Sequence, residues 1–125
     1  ILYIGHRSQL TGDLRVLDNL QFLAGHDDTR LKHALDNVGM LGYYDSLVKE
    51  LSQGQGRRCA LARLWCSDAS IWILDEPYSA LDVSMMKILD EKISSHVASG
   101  GICLFTTHQQ STLSEFQTLE LGCVD

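Results

Sequence analysis

Two adjacent carboxylates are the first feature of the sequence that could do chemistry. The run Ile-Trp-Ile-Leu at 71–74 is typical of a buried strand, and Asp75 and Glu76 come directly after it. Ligand sites in open α/β sheets lie at the carboxyl ends of strands. Asp75 could hold Mg²⁺, which takes one or two carboxylates, and Glu76 could orient or deprotonate an attacking water. A strand ending in a solvated acidic turn at Pro77 would leave the same pattern.

A serine before a helical run is the second candidate. The segment 51–55 is Leu-Ser-Gln-Gly-Gln, with Ser52 at the place of a helix N-cap and Gly54 permitting close backbone approach. The free N–H groups of a helix N-terminus bind phosphate well, and Gln55 completes the motif. Taken alone, the segment is more often an ordinary capped helix.

Two further motifs follow the carboxylates. Ser79-Ala80-Leu81-Asp82 precedes a helical run, so Asp82 also serves as an N-cap. Thr106-Thr107-His108 ends a second apolar strand, and a histidine there can hydrogen-bond a terminal phosphate. A lone His108 would more often be a polar loop residue, so its interpretation depends on the order of all four motifs.

The elements that must position these motifs are indicated by apolar periodicity and by turn residues. Strand and helix alternate in the second half of the chain, which predicts an α/β fold with parallel strands and crossover helices. We expect strands over 1–4, 71–74, 102–106 and 118–121, helices over 13–24, 29–38, 53–66 and 83–98, and short helical stretches over 45–49 and after His108.

The two early helices are predicted from their apolar stripes. The first helix would place Leu14, Leu17, Leu20 and Leu23 on one face. The second would carry Leu31, Leu35 and Val38, with Thr29 or Asp28 as its cap.

Composition limits the class of protein. The 125 residues carry a formal charge of −6, which argues against a nucleic-acid partner. Four cysteines form no CxxC pair, which indicates a reducing compartment without a disulfide framework. No apolar run is long enough to span a bilayer. The chain begins at Ile1 inside an apolar run without an initiator Met, so we expect it to be a piece of a longer protein.

The order of the four motifs resembles the ATP-binding-cassette (ABC) ATPase domain. In that resemblance 51–55 is the signature motif, 71–75 the Walker B strand, 79–82 the D-loop and His108 the switch histidine. The implied fold is a partial P-loop NTPase domain. It divides into a Q-loop region at 1–12, a helical subdomain with the signature helix at 13–66, and core strands at 67–125.

The resemblance also implies a role for each candidate residue. ATP and Mg²⁺ would be the cofactors, and two such domains would close head to tail as a homodimer around two ATP molecules. Glu76 and His108 would be catalytic and Asp75 would position the metal. The cofactor-binding residues would be Ser52, Gly54, Gln55, Asp82 and His6.

Three stretches narrow the resemblance to the CcmA family, the ATPase subunits of the cytochrome c biogenesis haem exporter. They are Tyr-Ile-Gly-His at 3–6, Ala-Leu-Ala-Arg-Leu-Trp at 60–65, and the run from Trp72 to Asp82. The implied partners are CcmB- and CcmC-like transmembrane subunits. They would hold the ATPase at the cytoplasmic face of the inner membrane, or on the matrix side in a mitochondrion.

The sequence departs from the ABC pattern at two points that bear on nucleotide binding. His6 stands at the place of the Q-loop glutamine, and neutral imidazole is a poor Mg²⁺ ligand. No G-x-x-x-x-G-K-[ST] loop occurs, so we expect the chain by itself not to bind ATP tightly.

Three other functions remain alternatives to a haem-exporter ATPase. They are an ABC exporter ATPase with another cargo, a non-catalytic interaction fragment, and an ABC protein acting on nucleic acid, which the acidic charge disfavours.

Overall fold

The computed structural model describes residues 1–7 and 9–106. They form a sheet of parallel strands with helices on the core side of the sheet. The strands are β1 (Leu2–Ile4), β2 (Ile71–Asp75) and β3 (Ile102–Thr106). The α-helices are α1 (Val16–Ala24), α2 (Asp28–Asn37), α3 (Gln53–Leu61) and α4 (Val83–Ala98). Short 3-10 segments cover Leu41–Tyr43, Val48–Glu50 and Ala62–Trp65. The predicted helix after His108 and strand at 118–121 lie outside the described residues.

The sheet of the described part has the order β1-β2-β3, and both pairings are parallel. Leu2 lies opposite Trp72, and Asp75 lies opposite Thr106. The prediction of parallel strands with helical crossovers is therefore confirmed. Since the strands run the same way, their carboxyl ends meet at one edge of the sheet.

One face of this sheet is buried and the other is open. Ile4, Trp72 and Leu74 are nearly fully buried on the core face. The alternate residues Tyr3 and Leu104 on the opposite face are 47% and 59% exposed. This alternation follows from the period of two in a strand.

Helix α1 begins at Val16 rather than at the predicted Asp13. The side-chain amide of Asn19 donates to the carbonyls of Thr11, Leu14 and Arg15, and its oxygen accepts from the Thr11 amide. These bonds hold the preceding residues in a turn, because an amide side chain competes with helical hydrogen bonding. Leu14 is consequently 45% exposed, so its predicted place on the buried face was wrong.

The N-cap of α2 is Asp27, not Asp28 or Thr29 as predicted. The Asp27 carboxylate accepts a hydrogen bond from the Arg30 amide, at the spacing that a cap requires. The stripe of Leu31, Leu35 and Val38 is fully buried, as expected.

Helix α4 covers the predicted range of 83–98. Met85, Leu89 and Ile93 form its buried side. His96, in its last turn, stacks on Trp72 with ring centroids 3.6 Å apart. Among the helices in the described ranges, none is long and apolar enough to cross a membrane.

Candidate active site

A cluster of polar side chains lies where the parallel strands end. Thr106 donates through Oγ1 to Asp75 Oδ1 at 2.7 Å, across the β2–β3 pair. His6, which follows β1, donates through Nδ1 to Asp75 Oδ2 at 2.9 Å. The parallel register thus brings groups from three strand ends together on one carboxylate.

These contacts keep Asp75 ionised. The hydrogen bond from His6, followed by the one from Thr106, holds the pKa of the Asp75 carboxyl below its usual value. A carboxylate with a neighbouring hydroxyl is a set of hard oxygen donors, which suits Mg²⁺. Within 1–7 and 9–106, no group of three or more Asp, Glu, His or Cys side chains is arranged so that these side chains alone could hold a metal ion. Any cation at Asp75 would therefore complete its shell with water or with ligand oxygens.

Glu76 occupies an unusual backbone conformation directly after the strand. Its φ of 52° lies in the left-handed region, which side chains with a Cβ rarely adopt. Its N–H points to Thr106, with the carbonyl oxygen at 3.2 Å and Oγ1 at 3.1 Å. The conformation turns the chain sharply at the point where the candidate catalytic carboxylate begins.

Arg57 of helix α3 lies beneath this turn and is 4% exposed. Its Nη1 donates to the Gly5 carbonyl at 2.7 Å. Its Nη2 donates to the carbonyls of Asp75 at 3.3 Å and Glu76 at 2.9 Å. Burial lowers the pKa of this guanidinium, and the charges of Asp75 and Glu76 oppose that change.

Sequence reasoning missed Arg57. The signal was a charged residue on the same helical face as apolar Ala60 and Leu61, at spacings of three and four residues. Charged residues are rarely so buried without partners, so this position had to meet polar groups elsewhere in the fold.

The N-terminus of α3 confirms Ser52 as an N-cap. Ser52 Oγ accepts from the Gln55 amide at 3.1 Å, and Gln55 Oε1 accepts from the Ser52 amide at 3.0 Å. This reciprocal pair is a capping box. It fixes the hydroxyl and the free N–H groups at the start of the helix.

Gly54 packs directly against the segment that carries Asp82. A Cβ atom at position 54 would lie 3.2 Å from the Ala80 carbonyl oxygen, which is tighter than ordinary contact. Ala80 itself has a φ of 63°. A larger residue at position 54 would therefore have to displace the Ala80 carbonyl by a few tenths of an ångström.

Asp82 caps α4 and is held by a second missed arginine. Its Oδ1 accepts from the Met85 amide at 2.9 Å, as predicted for an N-cap. Arg58 Nη2 donates to both carboxylate oxygens, at 3.1 and 2.9 Å, and Nη1 donates to the Val38 carbonyl. Arg58 thereby links α2, α3 and the start of α4.

The structure places the predicted residues in two groups. His6, Asp75 and Glu76 lie at the strand ends. The other group lines an open cavity of about 360 Å³ formed by Gly39, Met40, Tyr43, Ser52, Gly54, Gln55, Arg58, Ala80 and Asp82. His108 lies outside the described residues, so its predicted role stays a prediction.

Comparison with known proteins gives one family and a consistent set of relatives. The family described as ABC transporter matches residues 1–79. The cytochrome c biogenesis ATP-binding export protein CcmA of Xanthomonas campestris is 48% identical over 110 residues, covering 85% of this chain and 51% of the relative. CcmA of Idiomarina loihiensis is 44% identical over 117 residues, covering 91% and 54%. The chain spans about half the length of these curated relatives.

Solved structures give the same fold. A putative ABC transporter ATP-binding protein from Pyrococcus furiosus superimposes with a TM-score of 0.75 at 25% identity, covering 89% of this chain and 58% of that one. The dimeric bacterial ABC transporter cassette MJ0796 has a TM-score of 0.73 at 21% identity, covering 87% and 52%. The predicted α/β fold of a partial P-loop NTPase domain is thus confirmed.

Proposed function

The chain belongs to the ABC transporter family, and we propose that it is part of an ATP-hydrolysing subunit that drives export for cytochrome c maturation. The observation that carries the proposal is the cluster at the strand ends, where Asp75 is fixed by His6 and Thr106 and Glu76 follows at once. The relatives named ATP-binding export proteins support the same activity.

Glu76 acts on the attacking water in this proposal. A carboxylate close to the terminal phosphate accepts a proton from water or aligns it for in-line attack, and such a group contributes about 10²–10⁴-fold to the rate. His108 would hold the terminal phosphate and the water in line. It follows β3 closely in sequence, and β3 is the neighbour of the strand that leads to Glu76.

Asp75 and Thr106 present the oxygen donors that a magnesium ion would use. Magnesium, when bound, neutralises charge on the transferring phosphoryl group. Asp75 fits this role because its carboxyl is ionised and faces a hydroxyl donor. His6 would shift its hydrogen bond from Asp75 to the nucleotide or to a water bound there.

The second group of residues serves the nucleotide of a partner subunit. Ser52 and Gly54 stand at the N-terminus of α3, whose N–H groups and positive dipole end attract phosphate. Gln55 and Asp82 line the same open cavity. A head-to-tail homodimer would close that cavity over the terminal phosphate bound by the other subunit, in keeping with the dimeric cassette MJ0796 of similar fold.

The motion of such a dimer would be transmitted to membrane subunits. The similarity to CcmA supports CcmB- and CcmC-like subunits as the partners and haem as the cargo. The ATPase would then sit peripherally at the cytoplasmic face of the inner membrane. Those partners would contact the Q-loop region at 1–12 and the helical subdomain at 13–66.

The test uses the full-length protein, including the half that the relatives carry beyond this chain. We expect phosphate release from ATP that depends on Mg²⁺. The variant Glu76→Gln should lower turnover by about 10²-fold or more and should still dimerise when ATP is added. A Glu76→Gln protein that turns over ATP at the parental rate would remove Glu76 from the central role.

The cargo is tested separately from the ATPase activity. The full-length protein is co-expressed with CcmB- and CcmC-like subunits, and ATP turnover is measured with and without haem. Stimulation by haem supports export for cytochrome c maturation. ATP turnover without any response to these subunits or to haem would favour an ABC exporter with a different cargo.

A further inference from the structure

Glu76 has a backbone conformation that its own side chain does not favour. Left-handed residues with a Cβ persist where the surrounding structure over-determines them. The φ and ψ angles of a residue describe how its two flanking peptide planes are turned relative to one another. Something must therefore hold both planes beside the Glu76 Cα.

Arg57 contacts both of those planes. One plane contains the Asp75 carbonyl and the other contains the Glu76 carbonyl, and both oxygens accept from the same Nη2 atom at 3.3 and 2.9 Å. Thr106 holds the first plane from the opposite side, through the Glu76 N–H. The guanidinium is thus placed to set the angle between the planes.

The same guanidinium reaches a second strand. Nη1 donates to the Gly5 carbonyl at 2.7 Å, and Gly5 directly precedes His6, whose ring binds Asp75. A buried cation is costly to desolvate, so an apolar side chain of similar size would serve packing better. The fork of an arginine suits carbonyls on two strands, whereas the single ammonium of a lysine does not.

We infer that Arg57 is a positioning residue that fixes the backbone of Glu76 and so the approach of its carboxylate to the attacking water. This role rests on the proposed ATPase function and adds a residue to it. Arg57 lies in α3, whose N-terminus at Ser52 lines the cavity proposed to face the partner subunit's nucleotide. The same helix therefore also supports the catalytic turn of its own subunit.

The inference is tested by a double-mutant cycle in the full-length protein. Arg57→Lys should lower kcat for ATP about tenfold, since small misplacements of a catalytic group are costly, while KM for ATP changes less than about twofold. In a Glu76→Gln background the same substitution should change the single-turnover rate less than about twofold, because the group it positions is already gone. Equal losses in both backgrounds would show a merely structural role and overturn the inference.

Arg63→Lys is the matched control. Arg63 is also a half-buried arginine that donates to a β1 carbonyl, that of Tyr3, and to the Gln9 side chain. It should lower the melting temperature without changing kcat more than about twofold. A loss of kcat in Arg63→Lys as large as in Arg57→Lys would also overturn the inference.

Two outcomes separate this inference from the proposed function. Parental protein that hydrolyses no ATP would refute both, whereas active parental protein with a multiplicative cycle would refute the positioning role alone. If Arg57→Lys does not fold, Arg57→Gln is taken through the same cycle, because its amide keeps two donors without a buried charge. Failure of both variants to fold would assign Arg57 to stability and overturn the inference.

Discussion

Ser52→Asp separates the structural role of Ser52 from its proposed role in binding phosphate. Aspartate is as good an N-cap as serine, so the substitution should leave α3 intact. Ser52→Ala removes the acceptor for the Gln55 amide and should cost about 1 kcal/mol. In a protein of the relatives' size, that loss lowers the melting temperature by roughly 2–4 °C.

The order should reverse for nucleotide-driven association. A carboxylate at this N-terminus would lie about 4 Å from the partner's terminal phosphate, where each pair of like charges costs about 4 kcal/mol at an effective dielectric of ~20. A homodimer contains two such sites, so the total is about 8 kcal/mol, which corresponds to a loss of about 10⁶-fold in ATP-dependent dimerisation. Ser52→Ala loses one hydrogen bond at each of the two sites, about 2 kcal/mol in all, and should weaken dimerisation by only about thirtyfold.

Two measurements on the full-length protein check this reasoning. Thermal unfolding should rank Ser52→Asp with the parent and above Ser52→Ala, and ATP-dependent dimerisation by light scattering should rank Ser52→Ala well above Ser52→Asp. Parental dimerisation by Ser52→Asp would mean that Ser52 meets no phosphate. A larger loss of melting temperature in Ser52→Asp than in Ser52→Ala would instead refute the capping argument.

Three other predictions concern close contacts and titrating groups. Gly54→Val should abolish ATP turnover, because its Cβ would press on the Ala80 carbonyl at 3.2 Å, whereas the exposed control Gly42→Ala should leave turnover unchanged. His6→Ala should raise the pKa of Asp75 more than Thr106→Val does, as measured by carboxyl ¹³C NMR without nucleotide. Because the pKa of Asp75 is lowered in the folded state, the parent should be more stable than His6→Ala above about pH 4, and this difference should disappear as the pH falls below the folded-state pKa. Burial raises the pKa of Cys59 to about 12, so native protein at pH 8 should resist iodoacetamide there, by peptide mapping, until urea unfolds it.

The elements with strong local signals could be predicted from the sequence. Helix α4 was predicted with its observed ends because Asp82 caps it and a glycine pair stops it. Strand β2 was found from its apolar run and Pro77. Ser52 was found because an N-cap needs only a local partner. These features depend on residues only a few positions apart, so they can be recognised in the sequence without knowledge of the fold.

The features that were missed depend on distant partners. The start of α1 is set by the side-chain bonds of Asn19, which periodicity does not reveal. Arg57 takes its meaning from carbonyls on two strands. The bond between His6 and Asp75 follows from the parallel register, which was predicted only as a topology. Long-range contacts of this kind appear once the chain is folded.

The pairing of β1 with β2 has a consequence for synthesis on the ribosome. Leu2 cannot pair with Trp72 until about seventy further residues have emerged, so the apolar side chains of β1 stay uncovered by β2 during that time. Contacts between such distant segments form slowly, and apolar surface that favours aggregation stays exposed until they form. A nascent chain of this protein should therefore depend on chaperones until β2 clears the exit tunnel.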